Sequence, residues 1–98
     1  MSGDKASVTV RIAGEEHTIR ANAEPEYTKR CAKVVDDRIH QIRSNSGPIE
    51  SHKVAILAAL SIADEMFQAQ EELARVRKEV ASRATNLVRR IEEETHGA

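Results

Sequence analysis

Residues 51–94 read SHKVAILAALSIADEMFQAQEELARVRKEVASRATNLVRRIEEE, without a single Gly or Pro. A stretch with no helix breaker predicts one long helix, on the order of 65 Å at ~1.5 Å per residue. Ser51 is its candidate N-cap. Met66, Leu73, Val80 and Leu87 recur at every seventh position, the spacing of a coiled-coil seam. Labelling that position d places Ile56, Ala63, Gln70, Arg77, Ala84 and Ile91 at a. Gln70 and Arg77 exclude a clean two-stranded zipper. Leu60, Ile62, Phe67, Ala69, Val76 and Val88 widen the apolar stripe, which suits contact with more than one partner helix. Val54 to Phe67 is apolar nearly all round. That segment is expected to be buried in a head built from two chains, while the distal part protrudes and pairs.

Upstream the period changes from helical to alternating. Ser7 to Ala13 places Val8, Val10 and Ile12 on one face and Thr9 and Arg11 on the other. Gly14-Glu15 is the expected tight turn. Glu16 to Ala21 alternates again, with His17, Ile19 and Ala21 on one side. The reading is a β-hairpin over 7–21, which is marginal alone and must pack on something. Asn22 to Pro25 breaks the strand. Pro25 suits the first helical position, and Glu26 complements the dipole. Tyr27, Cys31, Val34, Val35, Ile39 and Ile42 then mark one helical face over 25–44, ended by Gly47 and Pro48. The expected fold class is α+β. A head over 7–50 (β-hairpin plus short helix) is followed by one long coiled-coil helix over 51–94. Residues 1–6 and 95–98 are expected to be disordered. A 98-residue chain buries little core alone, so a dimer or tetramer is expected.

Composition narrows the function. Fifteen Lys and Arg face sixteen Asp and Glu, spread evenly along the chain, so phosphate neutralisation is not its business. Tyr27 and Phe67 are the only aromatics, too few for a base-stacking platform. One Cys excludes an internal disulfide or a CxxC site. No apolar run approaches the ~20 residues that span a bilayer, and Met1 to Val8 does not read as a signal peptide. A cytoplasmic location without membrane insertion follows as the default.

No catalytic, cofactor or metal constellation emerges. Cys31 falls in the apolar face of the first helix and reads as a buried small side chain. His17, His40, His52 and His96 are too scattered for a local metal motif. Asp36-Asp37 and Asp64-Glu65 are adjacent on helices and therefore point apart. The four Gly are isolated, so no phosphate loop exists. The chain reads as a non-enzyme with no cofactor and no small-molecule substrate. Two other readings remain. Thr9 and Arg11 on an exposed strand followed by two helices give the element order of ribbon-helix-helix DNA binders. Against that stand a second strand, neutral charge and a second helix several times too long. The long helix is equally compatible with a coiled-coil scaffold for an unrelated partner.

Val8-Thr-Val-Arg-Ile-Ala-Gly14 with Thr18-Ile19-Arg20 resembles the opening hairpin of the cell division protein ZapA family. Ala32-Lys-Val-Val-Asp-Asp-Arg-Ile39 is similar to that family's first-helix segment. Lys53-Val-Ala-Ile-Leu-Ala-Ala-Leu-Ser-Ile-Ala-Asp-Glu65 resembles the start of its long helix. The order and spacing of these pieces cover residues 7–94. The resemblance implies a non-enzymatic partner of FtsZ, the tubulin-like GTPase that polymerises into the bacterial division ring at mid-cell. It implies a dimeric head and a long helix through which two dimers join tail to tail into a tetramer that crosslinks filaments. Val54, Leu57, Leu60 and Phe67 match the family's buried head–helix positions and are expected at the oligomer interface. Leu73, Val80, Ala84, Leu87 and Ile91 fall on the distal seam, with Ala84 where a bulkier residue often serves. The FtsZ-facing charges map to Arg11, Glu15, Glu16, His52 and Lys53. Glu15-Glu16 makes this turn acidic where other members carry basic residues.

Overall fold

The computed structural model describes residues 5–97, with side chains described as far as Thr95. Met1 to Asp4 and Ala98 lie outside the described residues, and with them most of the expected disordered N-terminus. The element order is β1 (Ala6–Ile12), β2 (Glu15–Ala21), α1 (Pro25–Ser46) and α2 (Ser51–Gly97). The described residues divide into two units, the first ending at Ala63 and the second beginning at Asp64.

In the first unit, β1 and β2 form an antiparallel two-stranded sheet with Val8 opposite Ile19 and Arg11 opposite Glu16. Alternation sends Val8 and Val10 inward, where both are buried, while Ser7, Thr9 and Arg11 are exposed. The connecting residues are Ala13 and Gly14, with Glu15 already opposite Ile12 in the ladder. The turn therefore begins one residue earlier than the Gly14-Glu15 expected. Both turn residues have positive φ, 56° at Ala13 and 80° at Gly14. Positive φ at both positions is the requirement of a type I′ loop, whose twist matches that of its strands. Ala is disfavoured there by roughly 1–2 kcal/mol. One compensation is visible, since the Ala13 N–H donates to Asp36 Oδ1 of α1 at 2.8 Å. Removing this carboxylate in Asp36→Ala is expected to destabilise the fold by about 1–2 kcal/mol. Its neighbour Asp37 is exposed and pairs only with Lys33 among the interactions described. Asp37→Ala is therefore expected to stay below ~0.5 kcal/mol. Urea midpoints at one fixed protein concentration would compare the two.

Helix α1 opens with Pro25 at its first position and Glu26 in its first turn, as the dipole favours. It closes at Gly47, whose φ is 78° and whose N–H donates to the Arg43 carbonyl at 2.9 Å. Its apolar residues split into two ridges. Ala32 packs with Val8 and Val10 as one buried cluster. Ile39, flanked by Val35 and Ile42, packs with Val54 and Ala58 of α2 and with Ile12, Ala13 and Ile49 as a second. The other ridge, Tyr27, Cys31 and Val34, is exposed. Cys31 is thus not the buried side chain expected. It stands one residue, about 100° of helix, from the buried Ala32. His17, on the same side of its strand as Ile19 and Ala21, is exposed while those two are half-buried.

Helix α2 begins at Ser51, which is its first helical residue and not its cap. The first helical bond runs from the Val54 N–H to the Glu50 carbonyl at 3.0 Å. The Ser51 hydroxyl instead accepts from the Arg43 guanidinium at 3.3 Å, and that guanidinium also donates to the Ile49 carbonyl at 3.3 Å. Arg38 donates to Ser61 Oγ at 2.7 Å. These bonds fasten α1 to the first turns of α2. At the other end the helix continues to Gly97, through residues 95–97 of the tail expected to be disordered.

Candidate interaction surfaces

Among the described residues no group of His, Cys, Asp and Glu is arranged to hold a metal, and no helix is long and apolar enough to cross a membrane. The features that call for explanation are surface features.

The first is the hairpin. Its outer face carries Arg11 opposite Glu16, Thr9 opposite Thr18 and Ser7 opposite Arg20. The two threonine hydroxyls lie 3.3 Å apart. Glu15 belongs to the other face, because neighbours on a strand alternate. Its carboxylate lies 3.8 Å from the His17 ring. The structure therefore unites Arg11 with Glu16 and separates Glu15 from both.

His52 and Lys53 are exposed on the first turn of α2. No described hydrogen bond or ion pair joins them to the hairpin charges. They share its foundation, since Val54 and Ala58 pack against Ile12 and Ala13 at the hairpin's end. The sequence reading missed a groove of about 280 Å³ between β1 and α1, where Lys29 and Lys33 join Arg11 and Asp36. The two lysines stand four apart on α1, a spacing visible in the sequence. Knowing that α1 covers β1 is what brings them beside Arg11.

The second feature is apolar and exposed. In the first unit, Leu60 is 63 % exposed, and Tyr27, Val34, Ile56 and Leu57 are uncovered to lesser degrees. In the second unit, Phe67, Leu73, Val80, Leu87, Val88 and Ile91 are all exposed, Val80 by 60 %. Ala84 is exposed as well. Large apolar side chains exposed in such number mark a contact surface in each unit. Val54 differs from the other expected interface residues. It is fully buried inside its own chain by Ile39, Ala58 and their neighbours, so it has no surface to offer a partner.

The polar side of the second unit is laced within the helix. Arg75 bridges Glu72 at 2.6 Å and Glu79 at 2.9 Å, and Arg83 lies 3.7 Å from Glu79. The Arg75 hydrogen bond holds the Glu72 carboxyl below the usual carboxylate value, while Glu72 first and Glu79 second raise that of Arg75.

Known proteins resemble this chain in sequence and in fold. The sequence model of the family described as cell division protein ZapA matches residues 8–95. The cell division protein ZapA of Geobacillus kaustophilus (strain HTA426) is 33% identical over 76 residues, 78% of this chain and 84% of that protein. A solved ZapA mutant dimer from Geobacillus stearothermophilus superposes with a TM-score of 0.58 at 33% identity, covering 78% of this chain and 88% of that one. A conserved bacterial protein of unknown function from Pseudomonas aeruginosa PAO1 superposes with a TM-score of 0.74 at 26% identity, covering 89% and 97%.

Proposed function

Because the chain belongs to the cell division protein ZapA family, we propose that it is a non-enzymatic crosslinker of FtsZ filaments, acting in the cytoplasm at the mid-cell division ring. Two chains form a head. Two such dimers join through the distal part of α2, giving a tetramer with binding heads at both ends. The observation that carries this reading is the apolar stripe exposed along α2, from Leu60 through Ile91. A chain this small with so much uncovered apolar surface is completed by other copies. The dimeric relative supports pairing of the heads. Tethering gives the tetramer its effect. A weak head contact becomes strong when a second head on the same particle grips a neighbouring filament. Nothing in this role consumes nucleotide.

On this reading the filament contact is made by charges on the head, chiefly Arg11 with Glu16, and His52 with Lys53. The test is co-sedimentation with FtsZ assembled by GTP. The wild-type protein is expected to co-pellet. Arg11→Glu and Lys53→Glu are each expected to weaken co-pelleting about fivefold or more, with salt sensitivity to match. Light scattering should show their oligomeric state unchanged. If both reversals co-pellet like wild type, the contact lies elsewhere on the head. A tetramer that ignores FtsZ altogether would be a coiled-coil scaffold with an unrelated partner. Salt-sensitive retention on duplex DNA would revive the ribbon-helix-helix reading.

A further inference from the structure

We propose that the distal segment of α2 pairs antiparallel with a second copy of itself in one register, set by Arg77 of each chain meeting Glu94 of the other. The inference rests on the tail-to-tail reading above and specifies its partner contacts. It starts from a misplaced cation. Arg77 occupies an a position on the apolar stripe, and its helix neighbours three and four residues away are Leu73, Ala74, Val80 and Ala81. No carboxylate of its own helix is at bonding distance in sequence. Arg75 is paired with Glu72 and Glu79, and Arg83 with Glu79, while Arg89 and Arg90 have Glu92, Glu93 and Glu94 three or four residues away in sequence. Glu94 is an exposed acid on the d position one heptad beyond Leu87, and it makes no ion pair with Arg90 four residues before it. Neither Arg77 nor Glu94 has a hydrogen bond or ion pair among the described residues.

Antiparallel coiled coils oppose a with d. Placing Ala84 opposite Leu87 of the second copy, a small side chain against a large one, decides everything else. Stepping outward by four and then by three puts Val80 opposite Ile91, and then Arg77 opposite Glu94. By symmetry each contact occurs twice. The apolar centre is sealed at both ends by an ion pair.

Other alignments fail on the same residues. Sliding by one heptad in one direction sets Arg77 against Leu87. Sliding the other way sets Glu94 against Ala84. Both leave a charge facing an apolar side chain. Parallel in-register pairing brings Arg77 against Arg77 and leaves a gap between two Ala84 side chains. The chosen register brings Arg83 toward Arg90 at the flank, where Glu79 already lies 3.7 Å from Arg83.

The test is a charge-swap cycle read by sedimentation velocity as the dimer–tetramer dissociation constant. Arg77→Glu and Glu94→Arg are each expected to weaken the tetramer roughly tenfold or more, because each reversal creates its repulsion at every symmetric copy. The double variant restores the pair with its signs exchanged and is expected to return within about threefold of wild type. Helix content by circular dichroism should not change. A wild-type tetramer indifferent to both single reversals, or a double variant that loses as much as both together, overturns the register and leaves the tail-to-tail reading standing. A wild-type protein that never exceeds a dimer overturns both.

Discussion

Leu87→Glu is expected to leave a folded dimer and to abolish the tetramer, seen in light scattering as a fall to half the particle mass. Leu87 falls at a d position on the proposed seam and is 56 % exposed within its own chain, so the chain's own fold does not depend on burying it. In the tetramer it would be enclosed. A buried carboxylate without a partner costs about 3–5 kcal/mol. At ~1.4 kcal/mol per factor of ten, one such charge weakens association at least about a hundredfold, and symmetry repeats it. The core of the first unit, at Ile39, Val54 and Ala58, is built from that unit's own residues. A variant that remains tetrameric would show that the seam is misplaced.

Ile39→Ala has the largest expected effect on folding. Ile39 is 3 % exposed and packs against Val54 and Ala58 of α2, with Ile12 and Ala13 of the hairpin against the same cluster. It therefore joins three elements, two of which are marginal alone. The hairpin has only two strands, and α1 is held by its apolar face more than by propensity. Loss of the side chain is expected to cost about 2–4 kcal/mol from transfer and cavity together. Denaturant midpoints at fixed protein concentration would measure it, since an oligomer's stability depends on concentration. A loss under ~0.5 kcal/mol would mean that the hairpin, α1 and α2 are not held together at this point.

What the sequence disclosed, and what it concealed, has a physical pattern. The two-strand hairpin followed by a short and a long helix was legible, because periods of two and of 3.6 are local properties of the chain. The hairpin turn was displaced by one residue because Ala13 adopts a conformation that Ala itself disfavours, and its support is Asp36, distant in sequence. The face of α1 was read as one stripe. The structure divides it into a covered ridge at Ala32 and Ile39 and an open one at Tyr27, Cys31 and Val34. Periodicity reports that a face is apolar. It does not report whether the same chain or another copy covers it. The same gap explains Val54, which was grouped with interface residues and is consumed by the chain's own core. Among the charges, Glu15 and Glu16 looked like one acidic turn. A strand that begins at Glu15 sends them to opposite faces.

The crosslinker reading is tested most directly by light scattering and electron microscopy of GTP-assembled FtsZ, with wild-type protein and Leu87→Glu compared at equal concentrations of heads. Wild type is expected to gather filaments into thick bundles. Leu87→Glu should still co-pellet with filaments and leave them single, because each particle then has one head. Bundling by Leu87→Glu equal to wild type, or a wild-type tetramer that leaves filaments unbundled, would contradict crosslinking through the distal helix.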